Sequence, residues 1–156
     1  MQNFIYPVHL TSEKNDGFIV KFRDIPEAIT QGEGIQDALS EAVDCLEEAI
    51  ANRIVTGLDI PRPSSPKKEE YSVLLPIQMS AKAALYLTMQ EQSITKIELA
   101  KRLHCDEKEV RRLLDPRHSS KLPRIEIALA AIGRHLVLSI QVLSAPGYST
   151  LIGSHL

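Results

Sequence analysis

The stretch Thr95–Leu114, T-K-I-E-L-A-K-R-L-H-C-D-E-K-E-V-R-R-L-L, decides the fold of the second half of the chain. Apolar residues recur at helical spacing through its first part, break at His104 and restart in a new phase from Val110. The segments Thr95–Glu98 and Asp106–Glu109 each place a capping side chain three residues before a glutamate, which satisfies the free amides of a helix N-terminus. The stretch therefore predicts two short helices joined by a tight turn.

Such a helix pair is typical of a helix-turn-helix, whose second helix enters the DNA major groove. The turn departs from the usual pattern, because His104 occupies a position commonly filled by Gly and a positive φ there costs about 1 kcal/mol relative to Gly. Arginine can fork onto guanine, and both lysine and arginine neutralise phosphates. We expect base contacts from Lys108, Arg111 and Arg112, and phosphate contacts from Lys96, Lys101, Arg117 and Lys121.

The charges are unevenly distributed along the chain. Residues 1–66 carry five Lys or Arg against eleven Asp or Glu, a formal balance of −6, and residues 67–156 carry thirteen against nine, a balance of +4. A basic half that contains the helix pair favours two modules with different partners, of which operator DNA is the one expected for the second. An ordinary helical hairpin with solvated charges is the alternative interpretation of these residues.

The composition excludes several classes of protein. The 156 residues, 44% of them hydrophobic, suit one domain or two small ones. Cys45 and Cys105 fall in different modules without metal-ligand spacing, so we expect two buried thiols in a reducing cytosol. The N-terminus lacks the features of a signal peptide, and no apolar run approaches the roughly 20 residues that span a bilayer. We predict a cytoplasmic protein with no membrane segment, metal or cofactor.

Residues 1–58 predict a small α+β domain. Alternating apolar residues predict a β-hairpin of residues 2–12 with residues 17–24, followed by a short third strand at Ile29–Gln31. Over Ile35–Thr56 the apolar period becomes that of a helix, with a stripe that starts at its first residue. We expect this helix to bury its stripe on the strands and to expose a strongly acidic outer surface.

The second half begins with prolines and serines, which predict a linker over residues 59–70. Residues 71–143 are expected to form the helix-turn-helix domain, and residues 144–156 a flexible tail. Besides the helix pair, the elements predicted for this domain are a strand at Tyr71–Leu75, a helix from Ser80 to about Gln92, a helix from Ile125 to Ile132 with Pro123 in its first turn, and a late strand at Leu136–Leu143.

The two strands predicted for the second domain need partners, because a lone strand is not stable. They are expected to pair with each other or across a dimer. A two-fold dimer presents two recognition helices to two DNA half-sites, so we predict a homodimer through this domain. The alternative is a monomer with a two-stranded sheet of its own.

Several sequence motifs of this chain occur together in one protein family. They are Y-P-V-H-L-T, G-F-I-V-K-F-R-D-I-P-E-A-I-T-Q-G, D-A-L-S-E-A-V-D-C-L-E-E-A-I, a Pro/Ser linker and a C-terminal helix-turn-helix. Over about residues 4–143 the chain resembles HicB, the antitoxin of HicAB toxin–antitoxin systems. The resemblance implies a partial ribonuclease-H-like N-terminal domain that binds a small HicA-like, mRNA-cleaving ribonuclease toxin. It also implies a C-terminal domain that represses the operon by binding DNA, as a dimer or a dimer of dimers.

The resemblance makes the acidic helix face and the loop of residues 24–32 candidate toxin contacts, since an acidic surface complements the basic face of an RNA-binding protein. The candidates are Asp24, Glu27, Asp37, Glu41, Asp44 and Glu48. Plain solvent exposure of the helix and turn formation by the loop are the alternatives.

Two other functions compete with the antitoxin interpretation. A stand-alone repressor whose N-terminal domain senses a ligand predicts an apolar pocket in that domain and no stable protein partner. An active ribonuclease-H-like enzyme predicts metal-dependent RNA cleavage that Asp24→Ala abolishes. That chemistry needs several convergent carboxylates, one of them on the first strand, and Phe4–Leu10 contains none. We therefore expect no catalysis.

Overall fold

The structure, a computed structural model, describes residues 2–15 and 17–140. These residues form a four-stranded antiparallel sheet and five helices, which confirms the predicted α+β class. The strands are β1 (Ile5–Ser12), β2 (Phe18–Phe22), β3 (Ile29–Gly32) and β4 (Tyr71–Leu74). The helices are α1 (Ile35–Thr56), α2 (Ile77–Glu91), α3 (Lys96–Leu103), α4 (Glu107–Leu114) and α5 (Leu122–Ala131).

The chain divides into two compact units. The first contains, among the described residues, those up to Ala49, Pro61–Leu75 and 138–140, and therefore holds the sheet and most of α1. The second contains Ile50–Ile60 and Pro76–Val137, and therefore holds α2 to α5 with the end of α1.

The sheet has the strand order β3-β2-β1-β4. β1 and β2 form the predicted hairpin, in which Val8 lies opposite Phe22, and β3 pairs with β2 at the position predicted for a short third strand. Side chains two residues apart share one face of a strand, and the face that carries Tyr6, Val8, Val20 and Phe22 is buried. This face supplies the sheet's part of the core of the first unit.

β4 occupies the edge beside β1. Tyr6 lies opposite Val73, and the N–H of Leu75 donates to the carbonyl of Phe4 at 3.0 Å. The prediction that this strand pairs with the late strand or across a dimer was therefore wrong. The Ile5–Val8 part of β1 offers an open edge within the chain, and pairing there satisfies backbone groups of both strands. The Pro/Ser segment thus returns the chain to the first sheet before the helical unit begins.

β1 is a central strand although it contains Pro7, which has no amide hydrogen to donate. The register with β2 begins at Val8, so the missing amide falls just beyond the end of that ladder. On the other side Pro7 faces Ser72. In an antiparallel ladder, residue pairs that exchange hydrogen bonds alternate with pairs that do not. Phe4 and Leu75 are a bonded pair, so the pair of Pro7 and Ser72, three positions along, is one that needs no hydrogen bond. Pro7 therefore breaks neither ladder.

α1 follows the predicted bounds. Its stripe of Ala38, Leu39, Ala42 and Leu46 is buried in the first unit. Ile35, expected to begin this stripe, is exposed, because it is the first helical residue and precedes the buried positions by almost a full turn. After Thr56, Gly57 has a φ of +72°, a left-handed conformation typical of a helix C-terminus.

The N-termini of α3 and α4 carry the predicted caps. The hydroxyl of Thr95 accepts the N–H of Glu98 at 3.1 Å, and a carboxylate oxygen of Asp106 accepts the N–H of Glu109 at 2.8 Å. Between the helices, His104 adopts φ 52° and ψ 42°. This left-handed turn residue confirms the conformation expected at a position commonly held by Gly.

The remaining predictions for the second half need correction. α2 begins at Ile77 rather than Ser80, because Pro76 takes the N-cap position and its carbonyl accepts the N–H of Ser80 at 2.8 Å. Residues 136–140 of the predicted late strand form no strand, since the partner proposed for them is paired with β1. The rest of that segment and the predicted tail lie outside the described residues. α5 starts three residues before Ile125, with Pro123 in its first turn as predicted.

The junction of β3 and α1 requires a glycine. A Cβ at Gly32 would lie 2.4 Å from the backbone nitrogen of Ala38. We expect Gly32→Ala to lower the free energy of unfolding by about 1–3 kcal/mol, because the backbone of β3 or α1 must shift. Gly17→Ala is the matched control, since the nearest atom to its Cβ, the carbonyl oxygen of Gly32, is 3.6 Å away. Urea unfolding measures both variants, and equal effects would contradict the explanation.

Candidate nucleic-acid and protein-binding surfaces

The two short helices bury one side and expose the other. The buried side consists of Leu99, Ala100, Val110, Leu113 and Leu114. Residues three and four apart lie on one helix face, so Lys108, Arg111 and Arg112 share a face of α4, and all three are exposed. These are the residues for which base contacts were predicted.

The residues predicted to contact phosphates are also exposed and also lie in the second unit. Lys96 begins α3, Lys101 lies in its last turn, Arg117 follows α4, and Lys121 is the N-cap residue of α5. The surface formed by these four residues with the three of α4 is called the cationic surface below.

Two arginines of the helix pair are engaged with glutamates on their own helices. Arg111 donates to Glu107 at 2.7 Å, and Arg102 donates to Glu98 at 2.5 Å, each one helical turn apart. Exposed pairs of this kind contribute about 0–1 kcal/mol. Arg111 can therefore exchange its carboxylate for a phosphate or a base edge at little cost.

Sequence reasoning missed the residue that holds the end of α4. Lys82 of α2 is 1% exposed, and its ammonium lies within hydrogen-bond distance of four oxygens. These are the carbonyls of Arg112 at 3.2 Å, Leu113 at 3.0 Å and Asp115 at 2.8 Å, and the hydroxyl of Ser120 at 2.9 Å. Burial lowers the pKa of Lys82, and the nearby carboxylate of Asp115 opposes that shift.

A signal for Lys82 is present in the sequence. The buried positions of α2 include Met79, Leu85 and Met89, and position 82 lies among them at helical spacing. A lysine on a buried stripe needs acceptors for its protons, and a helix C-terminus supplies unpaired carbonyls. The pattern thus indicates a buried charge but not which helix end receives it.

A second contact joins α4 to α5. Arg124 donates from Nε and Nη2 to the same carboxylate oxygen of Glu109. Glu109 is also the residue whose N–H is capped by Asp106. The N-terminal half of α4 is therefore connected to α5, and its C-terminal end to α2.

The predicted acidic contacts divide into two groups. Glu41, Asp44 and Glu48 are exposed along one side of α1, at spacings of three and four residues, and are called the acidic face below. Asp37 lies one turn before them, but its carboxylate accepts the N–H of Glu33 at 2.8 Å, which caps the start of the helix. Glu27 is exposed in the loop between β2 and β3.

Asp24 is bonded to the Pro/Ser segment. Its carboxylate accepts the N–H of Ser64 at 2.8 Å and the hydroxyl of Ser64 at 2.7 Å. The neighbouring Arg23 donates to the carbonyl of Ser65 at 2.8 Å and forms an ion pair with Glu70 at 3.1 Å. These contacts give Asp24 a structural task in the first unit, separate from any partner.

Acidic neighbours affect one half-buried residue of α1. Burial raises the pKa of Glu47, and the charges of Asp44 and Glu48 raise it further. Burial and the negative charges beside it on α1 therefore both disfavour the ionised form of Glu47.

The described residues contain neither a metal-binding cluster nor a membrane-crossing helix. Within residues 2–15 and 17–140, no group of three or more His, Cys, Asp or Glu side chains could hold a metal ion. Cys45 and Cys105 are free thiols of intermediate exposure, and burial raises the pKa of both. No helix of the described part of the chain combines the length and apolar character needed to cross a bilayer.

The part of the chain that carries the sheet and the acidic face also matches a known family. Residues 5–84 match the family described as "HicB_like antitoxin of bacterial toxin-antitoxin system". The chain belongs to the HicB-like antitoxin family. In this HicB-like chain, the matched residues 5–84 include all four strands, α1 and the part of α2 that carries Lys82.

Curated HicB relatives extend the similarity over most of the chain. It is 36% identical over 141 residues to Antitoxin HicB 1 of Photorhabdus laumondii subsp. laumondii, with 90% of each chain covered. It is 34% identical over 133 residues to Antitoxin HicB of Escherichia coli K12, covering 85% of this chain and 96% of that protein. For Antitoxin HicB of Pseudomonas fluorescens Pf0-1, the identity is 35% over 119 residues, covering 76% and 82%.

The raised pKa of Glu47 predicts a pH-dependent stability. A carboxyl whose pKa is higher in the folded than in the unfolded protein stabilises the fold at low pH, and this contribution is lost as pH rises through the folded pKa. Glu47→Gln should therefore melt at a higher temperature than the unmodified chain at pH 7. The difference should vanish below the ordinary pKa range of Glu.

Thermal unfolding across this pH range tests the expectation, with Glu126→Gln as the control because Glu126 is exposed on α5. A gain for Glu47→Gln that is independent of pH would contradict the electrostatic cause.

Proposed function

We propose that this chain is the antitoxin of a HicA-like ribonuclease toxin, which it neutralises by binding through the first unit, and that it represses its own operon through the second. The observation that carries the proposal is the family match over residues 5–84, which covers the sheet and the acidic face. The relatives named Antitoxin HicB support the same role over most of the chain.

The acidic face is the surface proposed for toxin binding. A ribonuclease must hold the phosphates of RNA, so its active face is basic, and a row of carboxylates on a helix complements it. Glu41, Asp44 and Glu48 meet this requirement without a structural task of their own in the contacts described above. Glu27 and Asp37 flank the two ends of β3 and stay in the proposed contact, with Asp24 as a supporting residue.

Binding rather than catalysis is the proposed action of the first unit. Metal-dependent RNA cleavage needs several carboxylates around two ions, and β1 carries none. Asp24, the acid nearest the strand ends, is hydrogen-bonded to Ser64. We therefore propose that the chain is not an enzyme and has no cofactor.

The helix pair is proposed to act as a helix-turn-helix. The proposal is supported by two capped helices of eight residues each, joined through a left-handed turn, because in a helix-turn-helix the second of two such helices enters the major groove. On this proposal Lys108, Arg111 and Arg112 contact base edges, and the rest of the cationic surface contacts phosphates.

A homodimer through the C-terminal domain of residues 71–143 completes the proposal. Val137, Leu138 and Ile140 are 73%, 74% and 95% exposed in the segment that follows α5. Exposed apolar side chains in succession mark a protein interface. A two-fold dimer would present two α4 helices to two DNA half-sites, and association of two such dimers would give the dimer of dimers that the family resemblance implies.

Charge reversal on the acidic face tests toxin binding. In Glu41→Lys with Glu48→Lys, we expect association with the cognate toxin to slow about tenfold or more at low salt, because opposite charges accelerate encounter. Glu69→Lys with Glu126→Lys changes the net charge equally at exposed residues that are not on α1. Surface plasmon resonance at two salt concentrations measures both double variants.

If both double variants slowed association equally, net charge alone would explain the effect and the acidic face would be excluded. If the unmodified chain bound no toxin but still bound promoter DNA, the stand-alone repressor would replace the antitoxin proposal.

Truncation of Arg112 tests DNA binding. Loss of a forked base contact costs about 1–3 kcal/mol, so Arg112→Ala should bind DNA of its own promoter about tenfold more weakly and bind toxin normally. Arg134→Ala is the matched control, because Arg134 is an exposed arginine of the same unit that pairs with Glu91 at 3.4 Å. Fluorescence anisotropy measures the DNA affinities, and equal losses in the two variants would contradict the assignment.

A further inference from the structure

The end of α4 is built around a buried charge that the family match and the proposed contacts do not explain. The last carbonyls of a helix have no partners within the helix. In α4 the carbonyls of Arg112 and Leu113 instead face the ammonium of Lys82, which also reaches the carbonyl of Asp115. One side chain of α2 thus binds three carbonyls within four consecutive residues, at the place where α4 ends.

The chemistry of this contact favours a role in geometry. An ammonium ion is strongly hydrated in water, so its burial is unfavourable unless every proton finds an acceptor. Lys82 has three protons and four oxygens within 2.8 to 3.2 Å, and the negative end of the helix dipole lies beside it. An apolar side chain would fill the same space without the desolvation penalty but could not fix the positions of these carbonyls.

The segment after α4 is held by the same network. The hydroxyl of Ser120 accepts a hydrogen bond from the Lys82 ammonium and donates one to the carbonyl of Arg112 at 3.2 Å. Ser120 is buried, and the side chain of Gln78 donates to its carbonyl. The loop between α4 and α5 is therefore fastened at both ends, at Asp115 and at Ser120.

The residues that project from this network belong to the cationic surface. Arg112 supplies a carbonyl to Lys82 while its side chain is exposed, Arg117 lies within the fastened loop, and Lys121 directly follows Ser120. The side chains of Arg112, Arg117 and Lys121 are thus attached to backbone that the buried Lys82 ammonium holds in place.

We propose that Lys82 is a positioning residue for DNA binding, which fixes the last turn of α4 and the 115–120 loop so that Arg112, Arg117 and Lys121 meet the DNA in one arrangement. The inference rests on the proposed DNA-binding function and assigns a role to a residue that touches no DNA itself. A helix end that is loose by about an ångström loses the specificity of a base contact.

The first test compares Lys82→Met with Lys67→Met in the full chain. Methionine is unbranched and close to lysine in length, but it lacks the charge and the hydrogen-bond donors. The control position, Lys67, is an exposed lysine of the Pro/Ser segment. We expect Lys82→Met to bind promoter DNA about tenfold or more weakly, the loss typical of a mispositioned base contact, and to bind the cognate toxin as the unmodified chain does. Amide hydrogen exchange without DNA should accelerate over residues 111–120 in Lys82→Met alone.

Ser120→Ala serves where Lys82→Met folds poorly. It removes one acceptor and the bridge to Arg112 but leaves the buried charge its three carbonyls. The loss of one such hydrogen bond predicts DNA binding about fivefold weaker than that of the unmodified chain.

A double-mutant cycle separates positioning from general destabilisation. If Lys82 acts through Arg112, adding Lys82→Met to Arg112→Ala should weaken DNA binding by a clearly smaller factor than Lys82→Met does alone. Fully multiplicative losses would overturn the inference, as would DNA affinity unchanged in both Lys82→Met and Ser120→Ala. Failure of the unmodified chain to bind DNA would instead overturn the proposed function, and the inference with it.

Discussion

The hydrogen bonds between the Lys82 ammonium and the end of α4 are the contact on which the second unit depends. α4 has only eight residues, and helices of that length do not persist in water by themselves. Asp106 caps its start, Lys82 binds its last carbonyls, and its apolar side lies in the core. Because no residue of α4 lies more than about one turn from one of its two ends, these contacts determine the direction in which its charged side points.

In the first unit, β4 and the Pro/Ser segment are held in place by contacts with residues far away in the sequence. β4 follows the Pro/Ser segment and completes the sheet at β1, while the segment itself is bonded at several points along its length. The hydroxyl of Tyr6 donates to the carbonyl of Pro61, Asp24 accepts from Ser64, and Arg23 donates to Ser65. A stretch whose composition is that of a linker is thus hydrogen-bonded to β1 and to the residues that directly follow β2.

The difference between predicted and observed features follows from the range of the interactions. The hairpin, the bounds of α1 and both capped helices depend on residues a few positions apart, and each was predicted correctly. The partner of β4, the task of Asp24 and the acceptors of Lys82 join residues about 30 to 70 positions apart. Sequence periodicity shows that such a strand or charge needs a partner, but many edges and helix ends satisfy the same requirement.

Electrostatics at both proposed surfaces must be local, because the whole chain carries a formal charge of only −2. A net negative protein is repelled weakly by DNA at long range, yet screening limits that repulsion to about 8 Å at physiological salt. On the proposed function, DNA within that distance would meet the cationic surface, and a basic toxin would meet the acidic face on α1. The proposed homodimer would double the number of cationic surfaces presented to one duplex, so dimerisation would raise DNA affinity more than the net charge suggests.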